Sequence, residues 1–402
     1  MFLGKTQPLW SFMAQQILEK LLCQTDPSSK SQIKEKNSSL TLTPIEVAGY
    51  EQVIEVTDSA VGLSAFIAIH DTTLGPALGG IRILPYAKKE EALEDVLRLS
   101  KGMTYKASVA GVGFGGGKSV IIADPKTEKT PELLKAFAAA VDRLNGIYIC
   151  AEDVGTTTED VQIIESVTPY VVGLASENGS GNPAYFTAWG VFRGVQSVIK
   201  ELFGTESVEG KKVAIQGTGS VGSILADYLF WAGAELIVSD IDPASAKRCA
   251  KKTGATVVSP EEILKVSCDV FAPCALGGVL NSKTIPHLRC AGIAGATNNQ
   301  LLSDSDMDLL DKQGILYAPD FVINAGGLLN VSFEIDSAGY DPRVSRAKCH
   351  SIYDTLLTIY AVAKEKKIST HKAALFVAED RIRKKMGKRA SPPVFRHRAE
   401  MR

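Results

Sequence analysis

The chain has 402 residues, 45% of them hydrophobic and 22% charged, with a formal net charge of −1. This length and balance fit a globular protein of about two domains and give no overall support for a nucleic-acid or acidic-membrane partner. Seven cysteines are scattered without a CxxC pair, so neither a disulfide framework nor a metal site is expected, and a reducing cytoplasm fits best. No apolar run approaches the ~20 residues of a membrane-spanning helix, and the N-terminus lacks a secretory pattern.

In chain order, Trp10–Cys23 reads as a short amphipathic helix. The Ser/Lys-rich stretch Gln24–Leu40 reads as a linker, so that 1–43 form an N-terminal extension. Ser64–His70 alternates and reads as a strand. Gly75, Pro76, Gly79 and Gly80 mark a loop, and Lys88–Met103 has helical spacing. Two lysines, Lys106 and Lys118, then flank a glycine-rich segment that runs into a strand at Ser119–Ala123. Thr130–Leu144 is a helix with Pro131 just inside its start, and Tyr148–Cys150 is a strand. The polar cluster Ser176–Pro183 is a hinge. Ala188–Leu202 is helical, after which apolar runs alternate with helical ones, the pattern of a parallel sheet covered by helices. Ser351–Lys366 and His371–Lys385 close the fold as helices, and a basic tail, expected to be disordered, follows.

Two stretches carry chemistry. Gly217, Gly219 and Gly222 form GxGxxG directly after the strand Lys212–Gln216, and Asp240 ends the next apolar run, Glu235–Ser239. Such glycines permit a tight turn, close approach of a pyrophosphate and helix–strand packing. The acid suits a ribose 2′-hydroxyl and would repel a 2′-phosphate, which favours NAD over NADP. In the lysine segment, glycines would let backbone approach a ligand closely. A lysine shielded from water beside a second lysine would lose its proton readily and serve as a general base. GGGKS also ends like a Walker A loop, but Val112 stands where that motif needs glycine, and strand rather than helix follows the lysine. The bland reading, two solvated lysines, is disfavoured by the flanking glycines and apolar strand. The five histidines have no ligand or triad spacing.

The blocks LGPALGGIR, KGMTYKA, GGGKSVI, AEDVGT, APCALG, IAGATNNQL and APDFVINAGGLLNV, in this order over about Leu74–Asp380, resemble the glutamate/leucine/phenylalanine/valine dehydrogenase family, leucine-type members above all. The resemblance implies an α/β fold of two domains around a cleft: a catalytic domain (44–182) and a Rossmann domain (183–340). C-terminal helices (341–386) return to the first domain, before the basic tail (387–402). It implies that Lys118 is catalytic and Asp153 assists proton transfer, while Lys106 holds the substrate carboxylate near Gly79 and Gly80. Leu78, Ala151, Leu328 and Val331 would line an apolar side-chain pocket. Asn324 would lie near the substrate amine, and Asn298 and Thr187 near the cofactor. Gly217 to Gly222, with Thr218, Ser220 and Val221 between the glycines, would bind NAD together with Asp240. The implied reaction is reversible oxidative deamination of an apolar L-amino acid, leucine first, to the 2-oxo acid and ammonia, by a cytoplasmic homo-oligomer. Tryptophan, phenylalanine or valine as substrate, or a non-catalytic NAD-binding regulator, are the alternatives.

Overall fold

The computed structural model describes residues 39–175, 179–303 and 305–395. The expected helix at Trp10–Cys23, nearly all of the linker after it and positions 176–178 of the hinge lie outside the described residues. The chain divides into two compact units. One comprises the described parts of Met1–Thr104, Gly113–Leu174 and Lys385–Arg402; the other is Tyr105–Val112 with Ala175–Lys384.

In the first unit, β1 (Leu40–Pro44), β2 (Gln52–Asp58), β3 (Leu63–Asp71), β4 (Ala77–Leu84), β5 (Gly115–Ile122) and β6 (Tyr148–Glu152) form a mixed sheet of order β1-β2-β3-β5-β4-β6. β4 runs parallel to both β5 and β6. One face packs Phe66, Ala68 and Val120 against Ala92 and Val96 of α1 (Lys89–Ala110). The other packs Ile67, Ile81 and Ile121 against Leu133, Leu134, Phe137 and Val141 of α2 (Pro131–Arg143). α2 starts where its sequence says it should: the Thr130 side chain accepts from the Leu133 N–H, and Pro131 occupies the first turn. Burying a side chain such as Phe137 contributes roughly 1.5–3 kcal/mol. A short helix, α3 (Thr158–Glu165), follows β6.

Five expectations are corrected here. The glycine cluster around Gly79–Gly80 is not a loop but the middle of β4; both glycines pair with β6, at Cys150 and Ala151, and the flanking Leu78 and Ile81 pair with β5, which outweighs glycine's low strand preference. The run Gly115–Gly117 is strand as well. α1 does not stop at Met103 but continues through Ala110, because TYKASVA holds no breaker before Gly111. Leu40–Pro44, whose first four residues were assigned to the extension, is an edge strand paired with β2. Finally, the start of the basic tail is ordered. The Arg389 N–H donates to the Leu74 carbonyl at 2.8 Å, its guanidinium lies 4.6 Å from the centre of the Phe114 ring, and Phe395 stacks edge-on against Tyr170 at 5.1 Å.

In the second unit, α4 (Ala184–Phe203) precedes β7 (Lys212–Gln216), α5 (Ser220–Trp231), β8 (Glu235–Ser239), α6 (Pro243–Thr253), β9 (Thr256–Val257), β10 (Ser267–Pro273), β11 (Arg289–Ile293), α7 (Asp306–Lys312) and β12 (Leu316–Tyr317). The six strands are all parallel, in the order β12-β11-β10-β7-β8-β9, the doubly wound arrangement whose first strand lies at the switch point. α8 (Asp320–Ile323), α9 (Gly326–Ser332), α10 (Pro342–Cys349), α11 (Ser351–Lys366) and α12 (Thr370–Arg383) complete it. The last helix returns to the end of α1: Ser108 Oγ donates to the Ala378 carbonyl at 2.8 Å, and Arg381 donates to the Ser108 and Val109 carbonyls. The C-terminal helices therefore meet the segment assigned to the catalytic domain, within the second compact unit. Among the described residues no helix is long and apolar enough to cross a membrane.

A Cβ added at Gly116 would overlap the Thr104 backbone nitrogen and hydroxyl on α1. Gly116→Ala should therefore destabilise the protein by about 1–3 kcal/mol through overpacking, read as a lower denaturant midpoint with an unchanged slope.

Candidate active site

Lys118 stands in the middle of β5, opposite Ala68 of β3. It is buried, with 5% of its surface exposed. Its Nζ lies 2.7 Å from Oδ2 of Asp153, the residue after β6. The Thr156 hydroxyl fixes the turn that carries this acid, accepting from the Asp153 N–H at 2.8 Å. Gly80 leaves room for both groups: a Cβ there would fall 2.6 Å from Asp153 Cβ and 3.0 Å from Lys118 Nζ. Gly79 is directed elsewhere. Its added Cβ would overlap the Gly117 carbonyl, and its own carbonyl accepts from the Tyr148 hydroxyl at 2.9 Å. The glycines beside Lys118 serve packing: a Cβ on Gly116 would overlap Thr104, and one on Gly117 would fall 2.7 Å from the Tyr148 ring.

The pair has a third member that the sequence reading quoted but gave no role. Arg82, two residues beyond Gly80 on β4, donates from Nε to Asp153 Oδ2 at 3.2 Å and from Nη1 to Asp95 Oδ2 at 2.9 Å. Asp95, on α1, also accepts from the Tyr86 hydroxyl at 2.6 Å and from Arg98 at 2.8 Å. The two-residue alternation from Gly80 was the available signal, since residues i and i+2 of a strand share a face.

Burial pushes the Lys118 amine down from the ordinary lysine value; Asp153 pulls it back, and the Arg82 charge adds to the lowering. Arg82 is thus a cation that acts on Lys118 from within the same sheet. Burial pushes Asp153 up, but the Lys118 and Arg82 charges outweigh it and hold the carboxyl below its ordinary value. A buried amine that loses its proton more easily than an ordinary lysine, beside a carboxylate that stays ionised, is equipped to exchange protons.

In the second unit, Lys106 donates to Asn324 Oδ1 at 2.7 Å. Asn324 donates onward to Asn298 Oδ1 at 2.6 Å and to the Ala296 carbonyl at 3.1 Å. Three of the expected residues are thereby joined in one hydrogen-bonded chain. Leu328 (buried) and Val331 (half-buried) stand one turn apart on α9. In the first unit Leu78 is buried on β4 and Ala151, half-buried on β6, is the strand partner of Gly80. Thr187 lies in the first turn of α4, where its hydroxyl donates to the Pro183 carbonyl at 3.0 Å.

The turn after β7 divides its glycines by task. Gly217 has φ +96°, and its N–H donates to the Ser239 carbonyl at 2.7 Å. A Cβ on Gly222 would overlap the Gly217 carbonyl, whereas one on Gly219 would meet nothing within 4 Å. Gly219 caps α5 without a side-chain hydrogen bond, so the N–H groups around Ser220 and Val221 remain for an anion. Asp240 Oδ2 accepts from the Thr218 N–H at 2.7 Å, and Oδ1 from the Asp242 N–H at 2.9 Å. Burial raises its pKa, but these bonds outweigh burial and keep it below the ordinary value. The donor set fits a dinucleotide: open space at the middle glycine, an uncapped helix start and an ionised acid one strand away.

The depressed pKa of Lys118 has a consequence for stability. Between its folded value and the ordinary lysine value of about 10.4, the unfolded chain binds more protons. Stability should therefore gain a component that rises with pH through that window. Lys118→Met should remove this component, seen as a flatter denaturant midpoint against pH on the alkaline side. Asp153 contributes in the same sense at the acid end, with stability present above about pH 3.9 and lost as pH falls through its depressed value.

The family model described as the Glu/Leu/Phe/Val dehydrogenase dimerisation domain matches residues 50–170, and that described as Glutamate/Leucine/Phenylalanine/Valine dehydrogenase matches 179–244 and 241–390, a wider span than the sequence blocks covered. A leucine dehydrogenase of Geobacillus stearothermophilus is 49% identical over 349 residues, 87% of this chain and 94% of that one. An L-tryptophan dehydrogenase of Nostoc punctiforme is 49% identical over 344 residues, 85% and 96% of the two chains. The crystal structure of L-tryptophan dehydrogenase from Nostoc punctiforme superimposes with a TM-score of 0.75, at 48% identity, over 84% of this chain and 97% of that one. With the buried lysine–aspartate pair and the dinucleotide-type turn both in place, the chain belongs to the Glu/Leu/Phe/Val dehydrogenase family and is an amino-acid dehydrogenase.

Proposed function

We propose that the protein catalyses NAD-dependent, reversible oxidative deamination of an apolar L-amino acid, with leucine preferred. The observation that carries this reading is the buried Lys118–Asp153 pair at 2.7 Å, a base and an acid held ready for proton transfer to a small substrate. Relatives at 45–49% identity are leucine, L-tryptophan and phenylalanine dehydrogenases, all named for apolar amino acids. Leu78, Ala151, Leu328 and Val331, assigned to the side-chain pocket, carry no group to pair with a substrate side-chain carboxylate. Desolvating that charge would disfavour glutamate. Discrimination among apolar side chains by single methylenes is worth only ~1–3 kcal/mol, so a broad preference is expected around leucine.

In this reading Lys106 binds the substrate carboxylate, and Asn324, already its hydrogen-bond partner, orients the amine. What the dinucleotide supplies when bound is an acceptor for the α-hydrogen, taken as hydride. Asp153 accepts a proton from the substrate ammonium as the imine forms. Lys118, neutral, takes a proton from a water as its oxygen attacks the imine carbon. The protonated lysine and Asp153 then serve the collapse to 2-oxo acid and ammonia. Gly217 to Gly222 hold the pyrophosphate and Asp240 the adenosine ribose. The match of 50–170 to a dimerisation domain supports a homo-oligomer.

Mixing the protein with NAD and a panel of L-amino acids at alkaline pH, while following absorbance of the reduced cofactor, should give the fastest turnover with leucine; no signal with any amino acid would favour a non-catalytic regulator. Lys118→Ala should lower kcat by about 10²–10⁴-fold while dinucleotide binding persists. Asp240→Asn, which removes the charge and keeps hydrogen-bonding capacity, should raise the NADP-to-NAD ratio of kcat/KM, by about tenfold if the lost repulsion is worth about 1.4 kcal/mol.

A further inference from the structure

A lysine that must become neutral beside a buried aspartate poses a problem. With two groups alone, the proton leaving Lys118 has a nearby acceptor in Asp153 itself. Both would end neutral, and no carboxylate would remain to take the proton of the substrate ammonium. Arg82 alters this. Its Nε and Lys118 Nζ bind the same oxygen, Oδ2 of Asp153, at 3.2 and 2.7 Å, so the two cations lie less than about 6 Å apart. Oδ1 takes part in neither bond. Unlike lysine, the guanidinium keeps its charge throughout the working pH range, and Asp95 fixes its other end at 2.9 Å.

We propose that Arg82 is a positioning residue of the proton-transfer pair: by holding Asp153 through Oδ2 it keeps that carboxylate ionised while Lys118 is neutral, leaves Oδ1 to the substrate amine, and directs the lysine's proton to water and substrate. This inference rests on the reading of Lys118 as the base. Arg82 and Tyr86 come from β4 and the residues after it, Glu152 and Asp153 from the end of β6, and Asp95 and Arg98 from α1. His70 of β3 is turned to the Thr104 hydroxyl at 2.9 Å. Of these, Arg82 is the one cation bonded directly to the Asp153 carboxylate besides Lys118.

The test is the pH dependence of kcat/KM for amino-acid deamination in the wild type, Arg82→Gln, Arg82→Lys and Lys118→Ala, with dinucleotide binding followed by fluorescence as the check on folding. In Arg82→Gln the acid limb should move to higher pH by about one unit or more, the scale of a neighbouring charge; alkaline pH should then restore part of the lost rate. Arg82→Lys, which keeps the charge, should bring the limb back toward the wild-type position while kcat stays reduced. An Arg82→Gln enzyme that is merely slower, with its acid limb unmoved, overturns the proposal. If Lys118→Ala retains turnover, the underlying reading of the base fails instead, and the two failures are thereby distinct. Should Arg82→Gln not fold, carboxyl ¹³C NMR of wild-type Asp153, assigned with Asp153→Asn, decides. A signal that stays ionised across the pH range in which Lys118 titrates supports the role, and one that titrates with the lysine overturns it.

Discussion

The constraint behind the first unit is the burial of an ammonium group in the middle of a sheet. A charge in that setting is strongly destabilising unless it is paired, and removing one member of such a pair typically costs ~3–5 kcal/mol. Lys118 meets the condition through Asp153, and Asp153 through Arg82 as well. The surrounding sequence is arranged to permit this. Gly80 keeps its strand partner position empty of side chain beside both groups, Gly116 lets α1 press against β5, and α1 brings Asp95 to the far end of Arg82. The apolar contacts of Ala92 and Val96 with Phe66 and Val120 hold that helix on the sheet. Packing and electrostatics on this face are therefore one design, in which small residues make the space that charged ones occupy.

The second unit applies a related principle to backbone. At the switch point of its parallel sheet, Gly217 turns the chain, Gly222 brings helix against turn, and Gly219 leaves open space before an uncapped helix start. Asp240 stabilises the same turn through the Thr218 N–H while keeping an ionised carboxylate. The chain Lys106–Asn324–Asn298 orders a third group of polar side chains by hydrogen bonds alone. Asn324 is well suited to the middle place, since its amide accepts from the lysine and donates to its other neighbours.

Much of this was legible in the sequence, for identifiable reasons. β7 and β8 have the expected limits because apolar runs there are bounded by glycine and acid, and α2 because Thr130 and Pro131 are strong start signals. The errors fell where tertiary pairing overrides local preference. Gly79 and Gly80 lie within β4, though glycine pairs punctuate loops in isolation, because neighbouring strands pair with that segment on both sides. The order of the tail at Arg389 and Phe395 depends on contacts with Leu74, Phe114 and Tyr170, all more than two hundred residues earlier. Lys118 and Asp153 could be named from their blocks, but Arg82 could not be given its role. Its partners come from α1 and from the turn after β6, and one-dimensional spacing carries no distance between them.

The central claim is that Lys118 is a base because the fold lowers its affinity for a proton. The most direct measurement is its own titration, by side-chain NMR of isotopically labelled lysine, with the Lys118 signal assigned by its loss in Lys118→Met. The midpoint is expected below the ordinary lysine value of about 10.4. A midpoint at or above that value would contradict the claim, whatever the rate of turnover.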